Sequence, residues 1–225
     1  MRDVTDELAR RPYPGRGCLA ARTVDGDLAL LYFLSGRSPV SRARELLPQS
    51  NGDIAVASTV GHGNDPLRHY TAAAQRGPWT VIGNGDHVVP IVESLAAHDD
   101  EVAAAQRYTY EPDGPIFTTR IWLTHQRGGR SDCAHGYARR SDRGAVDHVV
   151  WSLSLLAPGT GSLMTTYAGT VSEVRPQHAP VDVKVAASTA GDLLQDVWGA
   201  LDPTLRVAGF AITPDDAQAR PHFIY

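Results

Sequence analysis

Arg16, Arg37, Arg42 and Arg44 fall within one stretch, Pro12 to Arg44, together with the hydroxyls of Tyr13, Ser38 and Ser41. They flank the strand-like run LALLYFLSG. Guanidinium forks and small hydroxyls beside exposed backbone are natural ligands for phosphate or another oxyanion. Arginines on an ordinary solvated surface would show the same spacing, so both readings stand at this point.

Three loop segments that follow strand-like runs carry further polar residues: Arg37–Arg44, Asn84–Asp86 and Tyr108–Arg120. Loops held by rigid strands are where binding and catalytic groups concentrate. The structural alternative for Asn84-Gly85-Asp86 is a hairpin turn, for which Asn-Gly is a leading signal. For Tyr108, Tyr110 and Glu111 it is a helix end with surface polar groups. Arg120 sits within a run of alternating character, where an inward guanidinium needs an anionic partner or a wet pocket.

Metal chemistry has little support. His62 and His69 lie in a glycine- and proline-containing loop, and Cys133 with His135 forms a single C-x-H pair, short of the spacing of a structural zinc site. There is no GxGxxG or Walker loop. Cleavage before Cys18 would expose an N-terminal cysteine able to act as nucleophile and base in one residue. The alternative is a small apolar side chain inside the first strand.

The elements that position these groups follow from pattern. Residues 3–10 suit a short helical turn ended by Pro12 and Pro14. Cys18–Thr23 and Leu28–Leu34 read as strands joined at Asp25-Gly26, and the second is apolar almost throughout, as in a strand covered on both faces. Asp53–Thr59, Trp79–Gly83, Ile116–His125, Val146–Leu156, Ser162–Glu173, Val181–Ala186 and Arg206–Ile212 follow as strands. Helical spacing runs from Pro90 to Tyr108, with a candidate break at His98-Asp99-Asp100, and from Thr189, a candidate cap, to Leu201. Arg127–Arg143 is polar and glycine-containing and reads as a loop or hairpin. Many antiparallel-looking strands with few helices predict an α+β protein.

At 225 residues the chain suits one domain, 1–225, with residues 1–11 as a candidate arm. A net charge of −4 gives no footprint for general nucleic-acid binding. Lys184 is the one lysine among 21 basic residues, a bias that fits a GC-rich bacterial genome. Two cysteines make no disulfide framework and suit a reducing cytoplasm; the charged N-terminus and short apolar runs predict neither signal peptide nor membrane span.

PYPGRG at 12–17, GRSPVSRAR at 36–44, NGD at 84–86 and YEPDGPIFTTRI at 110–121 together resemble the IMP cyclohydrolase family of the stand-alone archaeal and bacterial type. The resemblance covers most of the chain. It implies a four-layer αββα sandwich of mainly antiparallel sheets, like the N-terminal nucleophile hydrolases without their nucleophile. It also implies closure of 5-formamidoimidazole-4-carboxamide ribonucleotide to IMP with loss of water, in purine synthesis, with no metal or organic cofactor. On that resemblance Arg16, Arg37, Ser38, Ser41 and Arg42 would serve phosphate and carboxamide recognition, and Asn84 and Asp86 would hold ribose or base. Tyr108, Glu111 and Arg120 would share proton transfer and oxyanion stabilisation. The expected partner is the nucleotide substrate, with no nucleic acid and no membrane, and homo-oligomerisation left open. Alternatives are a relative recruited to another amide cyclisation or hydrolysis, and a non-catalytic nucleotide-binding protein.

Overall fold

The computed structural model describes residues 1–61, 65–97, 100–154, 156–177, 179–216 and 218–225. Fourteen strands and five helices are present among them, and the chain divides into two compact units, residues 1–45 with 155–225 and residues 46–154. The expected break at His98-Asp99 and the His62 position lie outside the described residues.

The first unit is built on a seven-stranded sheet. Its strands are β1 (Arg2–Asp3), β2 (Arg16–Arg22), β3 (Leu28–Ser35), β11 (Thr160–Thr165), β12 (Val181–Lys184), β13 (Arg206–Ile212) and β14 (His222–Ile224). Their order is β1-β12-β11-β2-β3-β13-β14, antiparallel except for the β1–β12 pair. The β2–β3 hairpin turns at Asp25-Gly26, where Gly26 has φ 96°, and β3 is buried along its whole length, as its uninterrupted apolar run predicts. Helices α1 (Val4–Ala9) and α5 (Ala190–Ala200) lay Val4, Leu8, Leu193, Leu194 and Val197 on Leu19, Leu31, Phe33 and Val183. Thr189 caps α5 by accepting from the Asp192 N–H at 3.1 Å. A four-residue helix, α2 (Pro39–Arg42), follows Gly36.

The second unit carries the other sheet, in the order β10-β9-β8-β7-β6-β5-β4. These strands are β4 (Arg44–Pro48), β5 (Ile54–Ser58), β6 (Tyr70–Arg76), β7 (Trp79–Gly83), β8 (Arg120–Gln126), β9 (Cys133–Arg140) and β10 (Val146–Leu153). From β5 to β10 each strand pairs antiparallel with the next. Helices α3 (Val88–Ala96) and α4 (Glu101–Ala105) cover one face, packing Ile91, Val92, Leu95 and Ala104 with Val81, Trp122 and Ala138. The Arg76 guanidinium grips Asp53 with two parallel bonds of 2.9 and 3.1 Å, tying the start of the β5–β6 ribbon.

The α+β expectation is met by two large, mainly antiparallel sheets with few helices. Of the two readings of segment 127–143, the hairpin is the one found: a short turn leads into the full strand β9, which returns antiparallel to β8. The strand expected from Ser162 to Glu173 ends at Thr165, and the one expected from Ile116 begins only at Arg120.

Candidate functional site

In the second unit, Asn84-Gly85-Asp86 is a strand-to-helix corner between β7 and α3, with no hairpin. Asn84 is buried, and its carboxamide is fully engaged. The Nδ2 group donates to the Glu111 carboxylate at 3.2 Å and to the Thr119 carbonyl at 3.0 Å, while Oδ1 accepts from the Ile121 N–H at 2.7 Å. One side chain thereby locks the end of β7, the start of β8 and the loop that bears Glu111. Glu111 is 2% exposed, and its own N–H donates to the Thr118 carbonyl at 2.8 Å.

The next residues of the corner hold Arg120. Its Nη1 pairs with the Asp86 carboxylate and lies 3.3 Å from His87 Nδ1. The His87 Nε2 lies 3.1 Å from the Ile121 carbonyl, which only accepts. Nε2 therefore carries the proton, and Nδ1 presents its lone pair to Arg120. A Cβ on Gly85 would meet Arg120 Nη1 at 2.7 Å, so the glycine makes room for the guanidinium. Arg120 Nε and Thr119 Oγ1 are buried without a hydrogen-bond partner among the described residues. Unmet buried groups of this kind cost about 1–3 kcal/mol each, and such sites are where function is sought.

Tyr108 packs beside His87, with ring centroids 6.3 Å apart. Burial pushes its phenol above the usual range, the Asp86 and Glu93 carboxylates push the same way, and Arg107 and Arg120 oppose the rise. The group is a neutral O–H donor at neutral pH. Between Tyr108 and Arg120 the chain makes a self-braced loop in which both Asp113 oxygens accept from Thr118, its N–H and its hydroxyl. Phe117 at the loop tip has φ 52°, a left-handed conformation that a bulky residue adopts only when its surroundings hold it there. Its ring carries the Arg140 guanidinium at 4.3 Å and the edge of Tyr110 at 5.4 Å between centroids.

The arginine-serine segment belongs to the first unit. Gly36 lets the following turn approach closely, since a Cβ there would meet the Ser41 carbonyl at 2.5 Å. Ser38 and Ser41 form a reciprocal capping box on α2, with bonds of 2.8 and 3.1 Å to each other's backbone N–H. Arg44 is buried and braces the turn, donating to the carbonyls of Ser41 at 2.7 Å and Ser35 at 3.2 Å. Arg37 and Arg42 project into solvent from this turn, and Arg37 donates to the Val171 carbonyl at 3.4 Å. Arg16 is buried at the start of β2, its N–H donating to Thr166 Oγ1 at 3.0 Å.

The family model of the IMP cyclohydrolase-like proteins matches residues 13–218, a span that takes in every one of these segments. The chain belongs to the IMP cyclohydrolase-like family. No curated protein matches it significantly.

Within this IMP cyclohydrolase-like chain the structure joins Asn84 to Glu111, and Asp86 to Arg120 with Tyr108 nearby. Arg16, Arg37, Ser38, Ser41 and Arg42 lie in the other unit, where Ser38 and Ser41 are joined to each other. His87, Asp113 and Thr119 take part in the second-unit cluster and were not singled out from sequence. Each adjoins or lies within a segment that was, His87 directly after NGD and the other two inside YEPDGPIFTTRI. No cluster of three or more His, Cys, Asp or Glu groups suited to a metal ion occurs among the described residues. Cys18 is wholly buried in mid-strand, and burial pushes its thiol far up, the opposite of what a nucleophile needs.

Proposed function

We propose that the protein closes 5-formamidoimidazole-4-carboxamide ribonucleotide to IMP. The family match through all the site segments is the observation that carries this reading. In the reaction the carboxamide nitrogen attacks the formyl carbon. A C–N bond forms, the nitrogen gives up a proton, and the formyl oxygen becomes a tetrahedral alkoxide that is protonated to a hydroxyl. That hydroxyl then takes a second proton as its C–O bond breaks, while a ring N–H is lost to form the C=N bond, so that one water leaves. A weak nitrogen nucleophile needs three things: a folded-over reactive conformer, a base beside the nitrogen, and donors at the oxygen. Positioning alone supplies up to about 7–11 kcal/mol.

The second-unit cluster offers the chemical groups. Glu111 is nearly inaccessible and oriented by the Asn84 amide, which suits a base that must not swing away. Tyr108, kept neutral by burial, and Arg120, aimed by His87 and Asp86, suit the developing oxyanion. Each such donor is worth roughly 3–4 kcal/mol in the transition state. Asn84 and Asp86 act in this reading through the groups they hold. In the first unit, Arg37 and Arg42, solvent-facing on the capped turn, have the donor chemistry of phosphate ligands, as do Arg16 and the Ser38 and Ser41 hydroxyls. The same reading takes the chain as one functional domain with the layered αββα arrangement of its family, using no metal or organic cofactor.

The test is incubation of the purified protein with the formamido ribonucleotide in chelator, following the absorbance change on ring closure. Turnover is expected. Glu111→Gln keeps an acceptor oxygen for Asn84 but loses the basic carboxylate, so its turnover should fall about 10²- to 10⁴-fold with the fold intact. Absence of turnover by the unaltered protein overturns the assignment, and full activity in Glu111→Gln removes Glu111 as the base.

A further inference from the structure

The strand that begins at Arg120 ends, at Thr124 and Gln126, in a pocket that the proposed reaction does not use. Its volume is about 540 Å³, within the size range of small-molecule sites, and its walls include Trp79, Glu101, Thr124, Gln126, Arg130 and Ser131. At about 3.3 Å per residue, Thr124 and Gln126 lie roughly 13–20 Å along β8 from Arg120. The two places are therefore distinct.

Two charges of opposite sign line this space without an ion-pair partner among the described residues. The Glu101 carboxylate accepts a hydrogen bond from the Thr124 hydroxyl through Oε1, and its second oxygen has no partner among the described residues. Asp100 beside it is engaged by capping α4, accepting from the Ala103 N–H at 2.6 Å. Arg130, exposed on the β8–β9 turn, makes no ion pair or hydrogen bond among the described residues. The Ser131 and Ser152 hydroxyls bond each other at 2.8 Å, and the charged groups are the strongest sites left to a ligand. Burial raises the Glu101 carboxyl above the ordinary range, an effect that an arriving cation would reverse.

We infer that this pocket is a second small-molecule site, taking a zwitterion of the α-amino acid class. The ammonium docks on Glu101, the carboxylate meets Arg130, and the Trp79 wall faces the side chain. A simple amine would satisfy only Glu101, and a simple carboxylate only Arg130. Pairing both charges is what selects the zwitterion.

The experiment is calorimetric titration of the full chain with each common α-amino acid, and with butylamine and butyrate as single-charge probes. Saturable binding of at least one amino acid is expected, at least tenfold tighter than either single-charge probe. Glu101→Gln, which keeps the acceptor for Thr124, and Arg130→Ala, at an exposed position, should each weaken it tenfold or more. The inference is overturned if no amino acid binds saturably, if butylamine or butyrate binds as well as any amino acid, or if both variants bind like the parent chain. The readout is binding, so it stands or falls apart from ring-closing activity.

Discussion

At the scale of single residues, the second-unit cluster is governed by how completely polar atoms are spoken for. Asn84 has no hydrogen-bonding capacity on Nδ2 left to offer a ligand, so its contribution is to fix Glu111 and two strand ends. His87 acts one step further out, passing the orientation of the Ile121 carbonyl through its ring to Arg120. Replacing it by phenylalanine keeps a ring of similar shape in a fully buried place and leaves the partly buried Arg120 with one acceptor fewer. His87→Phe should lose about 1–3 kcal/mol of stability, seen as a lower denaturant midpoint at unchanged slope. A variant as stable as the parent would show the imidazole to be mere filling. The sequence made Asn84, Asp86, Glu111 and Arg120 visible because their types suit anion and proton chemistry. His87 was not visible, because a histidine's role rests on which of its two nitrogens is engaged, and spacing does not encode that.

At the scale of elements, the parts read correctly are those whose signal is local. The β2–β3 hairpin follows from Asp25-Gly26 between apolar runs, and α5 from its apolar stripe behind Thr189. Thr189 satisfies one of the four N–H groups that every helix start leaves open. Thr189→Ala should therefore cost about 1 kcal/mol, measured as a drop in unfolding free energy with secondary structure retained. Little change would mean that packing of Leu193, Leu194 and Val197 alone holds the helix. β6 goes unread and β9 is legible only as part of a loop or hairpin, for a common reason. YTAAAQR and CAHGYARR are rich in alanine, glycine and arginine, poor strand formers that are placed by pairing with β7 and β8. Gly136 illustrates this, since the Trp122 indole of the neighbouring strand fills the space where its Cβ would be. The 113–118 loop was similarly opaque: its brace is a pair of bonds from Thr118 to Asp113, five residues apart with no periodic signature.

At the scale of the whole molecule, buried ionisable groups link stability to pH, and the centre of the first sheet bears on how the chain matures. Glu101 has a folded-state pKa above its ordinary value, chiefly through burial, so the stability it contributes is present at acid pH and lost as pH rises through the folded value. Glu101→Gln has no such dependence. Its stability relative to the parent should be greater near pH 7 than near about pH 4, where the unfolded carboxyl also begins to hold its proton. Parallel pH profiles for the two would contradict the raised value. Cys18 lies in β2, the middle strand of seven, paired to Tyr32 on one side and Met164 on the other. Scission before it would cut this strand after Gly17 and detach α1 with its Val4 and Leu8, which are part of the first unit's core. A thiol so deeply buried and so reluctant to ionise is a packing group. Cys18→Ala should thus keep ring-closing turnover near the parent's, at a cost of about 1 kcal/mol for the lost apolar volume. The intact mass of the active chain should show residues 1–17 still joined to Cys18. Loss of turnover in a folded Cys18→Ala protein, or an active species beginning at residue 18, would return the cysteine to the chemistry.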